Sequence, residues 1–381
     1  MEFGYAKRII DKTIAEHGEN GASAIVTKDG RKVFSYSAGL ADVEGGVPFA
    51  EDTVCRAFSC SKIVTSVAAM QLIERGLLDI SWDLDSIIPE FRDTYYVCGG
   101  KKTESPKIKL RDLLNMTSGI PYPGENREGI DGMNCLWGEL DQSISKGQSL
   151  TTAEFAAKAG KCALMFPAGN EWMYGSSADI MGTVIEKLSG QRFGEYLEEN
   201  IFAPLGMKDT AFYVPKEKKS RLAVLYENTA QPPKKPEWTN LCIYDREEPP
   251  KFESGGAGLF TTAEDFSLLG AELSCGGKGV ISRSAVRFMQ QNGLSPKQKQ
   301  TFTWDSCKGF GYANFMRILD DPNAAGLLAP VGSFGWDGWT GTYLLADPEN
   351  KISVTLFLQR CGAGTTQLSR SLVNTVYAEL I

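Results

Sequence analysis

Strand-like segments stand at both ends of the chain, and the residues between them follow mainly helical patterns. The predicted strands are 22–27 and 32–36 near the start, and 343–346 and 352–358 near the end. An Asp29-Gly30 pair separates the first two, which is a strong short-range signal for a β-hairpin. We therefore predict an α+β fold in which one antiparallel sheet, assembled from both termini, is flanked by helices.

The most apolar helical pattern runs from Lys62 to Leu77, and it predicts a helix that is buried nearly all round. Further helices are predicted at 2–16, 110–116, 152–159, 176–189, 193–201 and 368–380. The polar, glycine-bearing stretch 124–147 is expected to be a loop or a lid. The proline-rich stretch 231–236 cannot sustain a helix or a central strand.

These patterns predict a single domain, 1–381, with two lobes. Residues 1–57 and 300–381 form the expected α/β lobe, and 58–299 form a mainly helical lobe inserted into it. A cleft between two lobes is a common place for a binding site.

Composition excludes several classes of protein. The formal net charge of −7 argues against a nucleic-acid partner, which requires clustered basic charge. There is one histidine, His17, so a histidine base or a zinc site built from several histidines would depend on it. Its neighbours are polar, and we expect it at the surface. The nine cysteines lack a C-x-x-C pair and are expected to be free thiols, so neither a metal nor an organic cofactor is implied.

The location of the protein is predicted from the absence of targeting signals. Residues 1–8 do not have the pattern of a signal peptide, and no run of about 18 apolar residues could span a membrane. We expect a cytoplasmic protein without a membrane partner. The oligomeric state stays open.

Ser59 and Lys62 form a Ser-x-x-Lys pattern at the start of the most buried helix. Residues three apart in a helix lie on the same face. Burial lowers the pKa of a lysine, which can then accept the serine proton as a neutral amine. The alternative is that Ser59 is an ordinary helix N-cap. A second match, Ser143 to Lys146, lies in a polar stretch with no apolar helix after it.

Two other segments contain candidate residues. Tyr174 could act as a general base, because a phenol near an ammonium group has a lowered pKa. The alternative, and the usual one for a lone tyrosine, is a buried core residue in a loop before a helix. The glycine-rich segment 335–342 leads into a predicted strand, and its backbone N–H groups could complete an oxyanion hole. The alternative for this segment is a turn with two packed tryptophans.

Taken in order, these three segments resemble the motifs of the serine β-lactamase and D-alanyl-D-alanine peptidase superfamily, in its class C and esterase branch. The segments 110–120, 166–169, 204–210 and 255–265 are similar to the family as well. The resemblance covers nearly the whole chain and implies a β-lactamase/transpeptidase-like fold.

The resemblance also implies the roles of single residues. Ser59 would be acylated, Lys62 and Tyr174 would share the proton transfers, and the backbone N–H groups of Ser59 and Trp339 would hold the oxyanion. Neither base is a histidine, in agreement with the composition. Tyr122 is expected to line the substrate pocket.

Two departures from the family favour an ester substrate. Ser176 replaces the asparagine of the usual Tyr-x-Asn motif, which contacts the substrate amide. Trp336 replaces the Lys or His that begins the third motif and attracts the carboxylate of penicillins. With Gly338 of the same motif, Ser176 and Trp336 are expected to contact a small-molecule ester or amide.

Three functions stay open. A carboxylesterase, or an acyltransferase that passes the acyl group to another acceptor, is the leading hypothesis. A β-lactamase or a D-amino-acid peptidase or amidase is the second, and Arg56 or Lys308 could then supply a carboxylate contact. A non-catalytic protein that binds acyl groups or peptides is the third, because fold alone does not establish function. Cys60, next to Ser59, is expected to be a small packed residue.

Overall fold

The protein is built around one antiparallel sheet. The structure, a computed structural model, describes residues 3–124, 127–227, 233–237, 240–277 and 279–381. Within these residues the sheet has eight strands: β1 Gly21–Lys28, β2 Arg31–Asp42, β3 Val47–Pro48, β8 Phe310–Ala313, β9 Met316–Leu319, β10 Phe334–Asp337, β11 Tyr343–Asp347 and β12 Ile352–Phe357. Their order across the sheet is β3-β2-β1-β12-β11-β10-β9-β8. Two short strand pairs lie apart from this sheet: β4 Cys55–Arg56 with β7 Phe260–Thr261, and β5 Tyr95–Cys98 with β6 Lys101–Glu104.

The predicted fold class and both hairpins are confirmed. Asp29 and Gly30 have φ angles of +51° and +76°, as a tight turn between β1 and β2 requires. β1 pairs with β12 in the register Ser23 to Phe357, so the two ends of the chain share the centre of the sheet. Strands β8 and β9, which sequence patterns did not predict, extend the sheet beyond β10.

The longer predicted helices are also present, with small shifts at their ends. The helices are α1 Gly4–His17, α2 Ser61–Glu74, α3 Leu110–Leu114, α4 Asp131–Ser145, α5 Thr152–Ala159, α6 Ser177–Ser189, α7 Phe193–Leu197, α8 Ala203–Leu205, α9 Ala263–Ser274, α10 Arg283–Met289, α11 Pro296–Lys299, α12 Pro322–Ala325 and α13 Gln367–Leu380. Residues 61–72 of α2 are all buried, as its pattern predicts. A π-helical turn, Glu198–Phe202, follows α7.

The expectation of a loop or lid over 124–147 is wrong for most of that stretch, because α4 occupies it. The buried residues of α4 are Met133, Leu136, Trp137 and Leu140, spaced three and four apart. This spacing places them on one face, and burying that face stabilises a helix whose other positions are polar. Of the stretch 231–236, residues 231 and 232 lie outside the described residues, and 233–236 form no helix or strand.

Helices cover both faces of the sheet. In β1, Ala24 and Val26 belong to one apolar cluster with α1 and α13, whereas Ile25 between them belongs to the main core on the opposite face. This alternation follows from the two-residue period of a strand. α9 packs on β1, β11 and β12 from the main-core side. The division into two lobes stays a prediction.

The other sequence predictions for the chain have mixed outcomes. All nine cysteines are free. The side chain of His17 lies outside the described residues. Among the helices of the described ranges, none has both the length and the apolar character needed to cross a membrane.

Gly270 sets the distance between α9 and the sheet, and it allows a test of this packing. A Cβ at this position would lie 2.8 Å from both Leu344 Cδ1 and Ser353 Oγ. We expect Gly270→Val to lower the free energy of unfolding by about 1–3 kcal/mol, because overpacking forces the helix away from the sheet. Urea denaturation measures this change.

Gly138, on the exposed side of α4, is the matched control. A Cβ there would meet no atom within 4 Å. Gly138→Val is expected to leave stability unchanged or raise it slightly, since valine has the higher helix propensity. Equal losses in the two variants would contradict this account of Gly270.

Candidate active site

Ser59 lies in a short 3-10 turn, Phe58–Cys60, that leads directly into α2. The residue before it, Phe58, has a backbone φ of +43°, a conformation that residues other than glycine rarely adopt. Phe58 is buried in an apolar cluster with Val54 and Phe260, and its ring packs edge-on against Trp339 at 5.3 Å. Packing of the Phe58 ring therefore holds the backbone that presents Ser59.

The glycine-rich segment after β10 lies against the other side of this turn. Thr342 Oγ1 donates a hydrogen bond to the Ala57 carbonyl at 2.7 Å, and Thr340 Oγ1 donates to the Arg56 carbonyl at 3.0 Å. A Cβ on Gly338 would lie 2.3 Å from the Ala57 carbonyl oxygen, so only glycine permits this approach. The structure thus brings the backbone around Gly338 and Trp339 next to the Ser59 turn.

Lys62 points from the first turn of α2 into a closed polar environment. Its Nζ lies 3.3 Å from Ser59 Oγ, 2.9 Å from the Tyr122 hydroxyl and 2.7 Å from the Gly256 carbonyl oxygen. The side chain has no solvent exposure. Burial lowers the pKa of Lys62 to about 7, although the negative charge of Asp179 opposes this shift. Near neutral pH the amine is therefore available to accept a proton.

Tyr122 and Asp179 face each other beside Gly256. A Cβ on Gly256 would lie 2.4 Å from the Tyr122 hydroxyl oxygen and 2.8 Å from Asp179 Oδ2, so glycine is required there. Asp179 Oδ1 accepts hydrogen bonds from Ser254 Oγ at 2.5 Å and from the Gly256 backbone at 3.1 Å. Burial, and then the charge of Asp179, raise the pKa of Tyr122, so this phenol stays protonated.

Tyr174 connects Ser59 to the third motif. Its hydroxyl accepts a hydrogen bond from the Trp336 indole Nε1 at 3.0 Å and lies close enough to Ser59 for that side chain to lower the pKa of the phenol. The Tyr174 and Trp336 rings stack with centroids 5.5 Å apart, and Lys62 Nζ lies 4.5 Å from the Tyr174 ring centroid. The lowered pKa that the sequence suggested for Tyr174 is wrong: burial raises the pKa of this phenol, and the interactions with Ser59 and Trp336 offset the rise only in part. A neutral phenol in this position can pass a proton on.

A buried ion pair lies behind Trp336. The Arg317 guanidinium donates to Asp337 Oδ2 at 2.9 Å and lies 4.7 Å from the centroid of the Trp336 ring. Both Arg317 and Trp336 are buried. A cation against an aromatic face is favourable, and its pairing with Asp337 offsets the cost of burying it.

Other predicted site residues are placed as follows. Ser176 is buried, and its hydroxyl donates to the Pro121 carbonyl at 2.8 Å, next to Tyr122. Two guanidinium nitrogens of Arg56 donate hydrogen bonds to the Asp245 carboxylate. Lys308 forms a salt bridge with Asp305 at 2.9 Å. The substrate contacts assigned to Ser176, Trp336, Gly338 and Tyr122 stay predictions.

Cys60 is packed as predicted. It is fully buried beside β10, and burial raises the pKa of its thiol to about 12. The second Ser-x-x-Lys match has a different setting, because Ser143 lies within α4 and its hydroxyl donates to the Leu140 carbonyl at 2.8 Å.

Sequence reasoning missed Asp179, Arg317 and Trp304 as residues of this region. Asp179 stands in the first turn of α6, where an acidic residue is ordinary, so only its burial distinguishes it. Trp304 lies in an irregular segment with no motif, and its ring packs against Tyr174 at 5.2 Å. Arg317 has no sequence signal beyond its charge.

A profile of the β-lactamase family matches residues 6–372. The chain belongs to the β-lactamase family. As a β-lactamase-family protein it is a serine hydrolase, and the three-dimensional arrangement of Ser59, Lys62 and Tyr174 fits that chemistry.

Similar proteins of this β-lactamase family include named esterases. Esterase EstB of Burkholderia gladioli is 27% identical, and the match covers 97% of this chain and 94% of that protein. Lovastatin esterase of Penicillium rubens is also 27% identical, covering 91% and 88%. The solved structure of EstCE1, a hydrolase with promiscuous acyltransferase activity, matches with a TM-score of 0.81 over 98% of this chain and 97% of that one. At 23% identity that likeness shows the fold alone.

The position of Lys62 beside Asp179 gives a test of the site electrostatics. NMR titration of 13C-labelled lysine is expected to show one lysine, absent in Lys62→Met, with a pKa of about 7. Asp179→Asn should move this titration to lower pH, because the carboxylate charge favours the ammonium form. A Lys62 that titrates with the surface lysines near 10.5 would show that the amine is not desolvated.

Proposed function

We propose that this protein is a carboxylesterase, or an acyltransferase, that works through an acyl-enzyme on Ser59. Neutral Lys62 takes the proton from Ser59 Oγ as this oxygen attacks the ester carbonyl carbon. The oxyanion of the tetrahedral intermediate accepts hydrogen bonds from the backbone N–H groups of Ser59 and Trp339. Tyr174 donates its proton to the departing alkoxide and regains one from the Lys62 ammonium, so both residues return to their neutral forms while the acyl group stays on Ser59.

Deacylation reverses these roles. Water, or the hydroxyl of an acceptor, loses a proton through Tyr174 and Lys62 as it attacks the acyl carbon, and Ser59 leaves with that proton. Hydrolysis and acyl transfer differ only in this acceptor. Both outcomes are therefore part of one proposal.

The hydrogen bond from Trp336 to Tyr174 carries the preference for an ester. In the amide-cleaving relatives that the sequence resembles, this position is a Lys or His, whose charge attracts a substrate carboxylate. Here a neutral indole N–H bonds the Tyr174 hydroxyl instead. The cation behind it, Arg317, is paired with Asp337. An uncharged ester fits this site better than a carboxylate-bearing β-lactam or peptide.

The competing functions make different predictions. A β-lactamase or D-amino-acid amidase would rapidly turn over a chromogenic cephalosporin or a D-amino-acid amide. A non-catalytic protein that binds acyl groups or peptides would be labelled at most once by an activated ester. The neighbouring positions of Ser59, Lys62 and Tyr174 disfavour a pure binder, since binding alone does not need this set of contacts.

The initial rate of p-nitrophenyl butyrate hydrolysis tests the nucleophile. We expect turnover by the wild type and a fall to background in Ser59→Ala, because no other group replaces the attacking oxygen. Ser143→Ala, the same change in the second Ser-x-x-Lys match, should keep wild-type activity. Faster turnover of a chromogenic cephalosporin than of the ester would favour the amide-cleaving alternative.

The pH dependence of acylation tests the base. The rate of the first turnover with p-nitrophenyl butyrate is expected to rise with pH through about 7 and then level off, because the neutral amine of Lys62 is the active form above its pKa. Lys62→Met, which has no proton acceptor, should lose about a hundredfold or more of this rate. A flat profile between pH 5 and 9 in the wild type would mean that Lys62 is not the base.

A further inference from the structure

Trp304 is an exposed tryptophan at the edge of the site. Its side chain is 45% exposed, and its ring packs edge-on against Tyr174 at 5.2 Å and against Trp172 at 5.2 Å. The neighbouring rings of Trp172 and Trp336 are buried. Trp304 is therefore the most exposed ring of this aromatic cluster, and Tyr174 lies between it and Ser59.

The segment that bears Trp304 is held at several points. Thr301 Oγ1 accepts a hydrogen bond from the Trp172 backbone at 2.8 Å, and Gln298 donates to the Gly169 carbonyl at 2.8 Å. Beyond Trp304, Arg317 donates to the Ser306 carbonyl at 2.9 Å. These bonds attach the segment to the strand and loop that carry the site, and the indole itself packs against the rings of Trp172 and Tyr174.

The Trp304 indole is 45% exposed and packs against Tyr174, so a group bound beside Ser59 can cover its free surface. Ligand sites are typically lined by aromatic side chains with a few polar groups that set orientation. Here the polar groups are Ser59, Lys62 and Tyr174, and the charges nearest to Trp304 in sequence, Asp305 and Lys308, pair with each other at 2.9 Å. A planar apolar group fits the exposed surface of the Trp304 indole.

We propose that Trp304 determines specificity by binding a planar apolar group, such as an aryl ring, in the acyl or alcohol part of the ester substrate. This inference rests on the proposed esterase function of Ser59. It assigns the substrate class of the same site: esters with an aryl group within reach of Ser59, in preference to small aliphatic esters.

The first test compares ester selectivity. Ethyl acetate, ethyl 2-naphthoate and 2-naphthyl acetate are followed in a pH-stat, and kcat/KM for each naphthyl ester is divided by that for ethyl acetate. We expect Trp304→Ala to lower this ratio about tenfold or more for at least one naphthyl ester, a size typical of a lost hydrophobic contact. Trp304→Phe should keep most of the selectivity.

Trp82 offers the matched control, because it is 41% exposed on a loop after α2 and its backbone is hydrogen-bonded to Asp79 and Leu110. Trp82→Ala should leave both ratios unchanged. If Trp304→Ala lowers all three rates equally, the residue only supports Tyr174, and the specificity proposal is wrong. Ratios within twofold of wild type would also overturn it.

A binding measurement separates this proposal from the esterase proposal. Calorimetry with 2-naphthamide in the Ser59→Ala background needs no turnover. We expect Trp304→Ala to weaken this binding about tenfold, and Trp82→Ala to leave it unchanged. If no ester is hydrolysed but this difference is present, the esterase function fails and the aryl site stands; if esters are hydrolysed but 2-naphthamide binds equally to both variants, the aryl site fails.

Discussion

The burial of Lys62 is the constraint on which the rest of the site depends. A helix buried on all sides places this amine where an ammonium ion would lose its hydration, and that cost favours the neutral form. The groups around Lys62 Nζ then determine how far the equilibrium shifts from the ammonium form to the neutral amine. The Gly256 carbonyl and the Tyr122 hydroxyl satisfy the amine without bringing a full charge into contact with it. The charge of Asp179 acts through Tyr122 and Gly256, so it moderates the effect of burial and does not cancel it.

The same preference for uncharged groups explains the surroundings of Tyr174. Trp336 gives Tyr174 a hydrogen-bond donor without a charge, and the nearby cation, Arg317, lies behind the indole ring with its own carboxylate partner. An ammonium in the place of Trp336 would repel a protonated Lys62 and attract anionic substrates. Because the Arg317 guanidinium lies behind the Trp336 ring and pairs with Asp337, the groups next to Tyr174 and Ser59 stay uncharged while the ion pair supports the strand.

Periodic sequence patterns predicted much of the fold. The hairpin at Asp29 and Gly30 and the apolar α2 follow from local rules, and the ordered motifs indicated Ser59 and Tyr174. α4 was missed because glycines and polar residues outnumber its narrow apolar face. Asp179 and Trp304 could not be predicted from the sequence. Their importance comes from burial or exposure beside residues that are distant in the chain, and local sequence patterns do not encode this.

The pairing of β1 with β12 has a consequence for the nascent chain. Ser23 and Phe357 are opposite each other, so a ribosome must add all the residues between β1 and β12 before these two strands can pair. Thr340 and Thr342, which hold the Ser59 turn, precede β12 by about ten residues and are synthesised at the same late stage. Non-local pairing of this kind is slow to form. A chain that is still being synthesised therefore holds its nucleophile and its lysine without the turn that would align them.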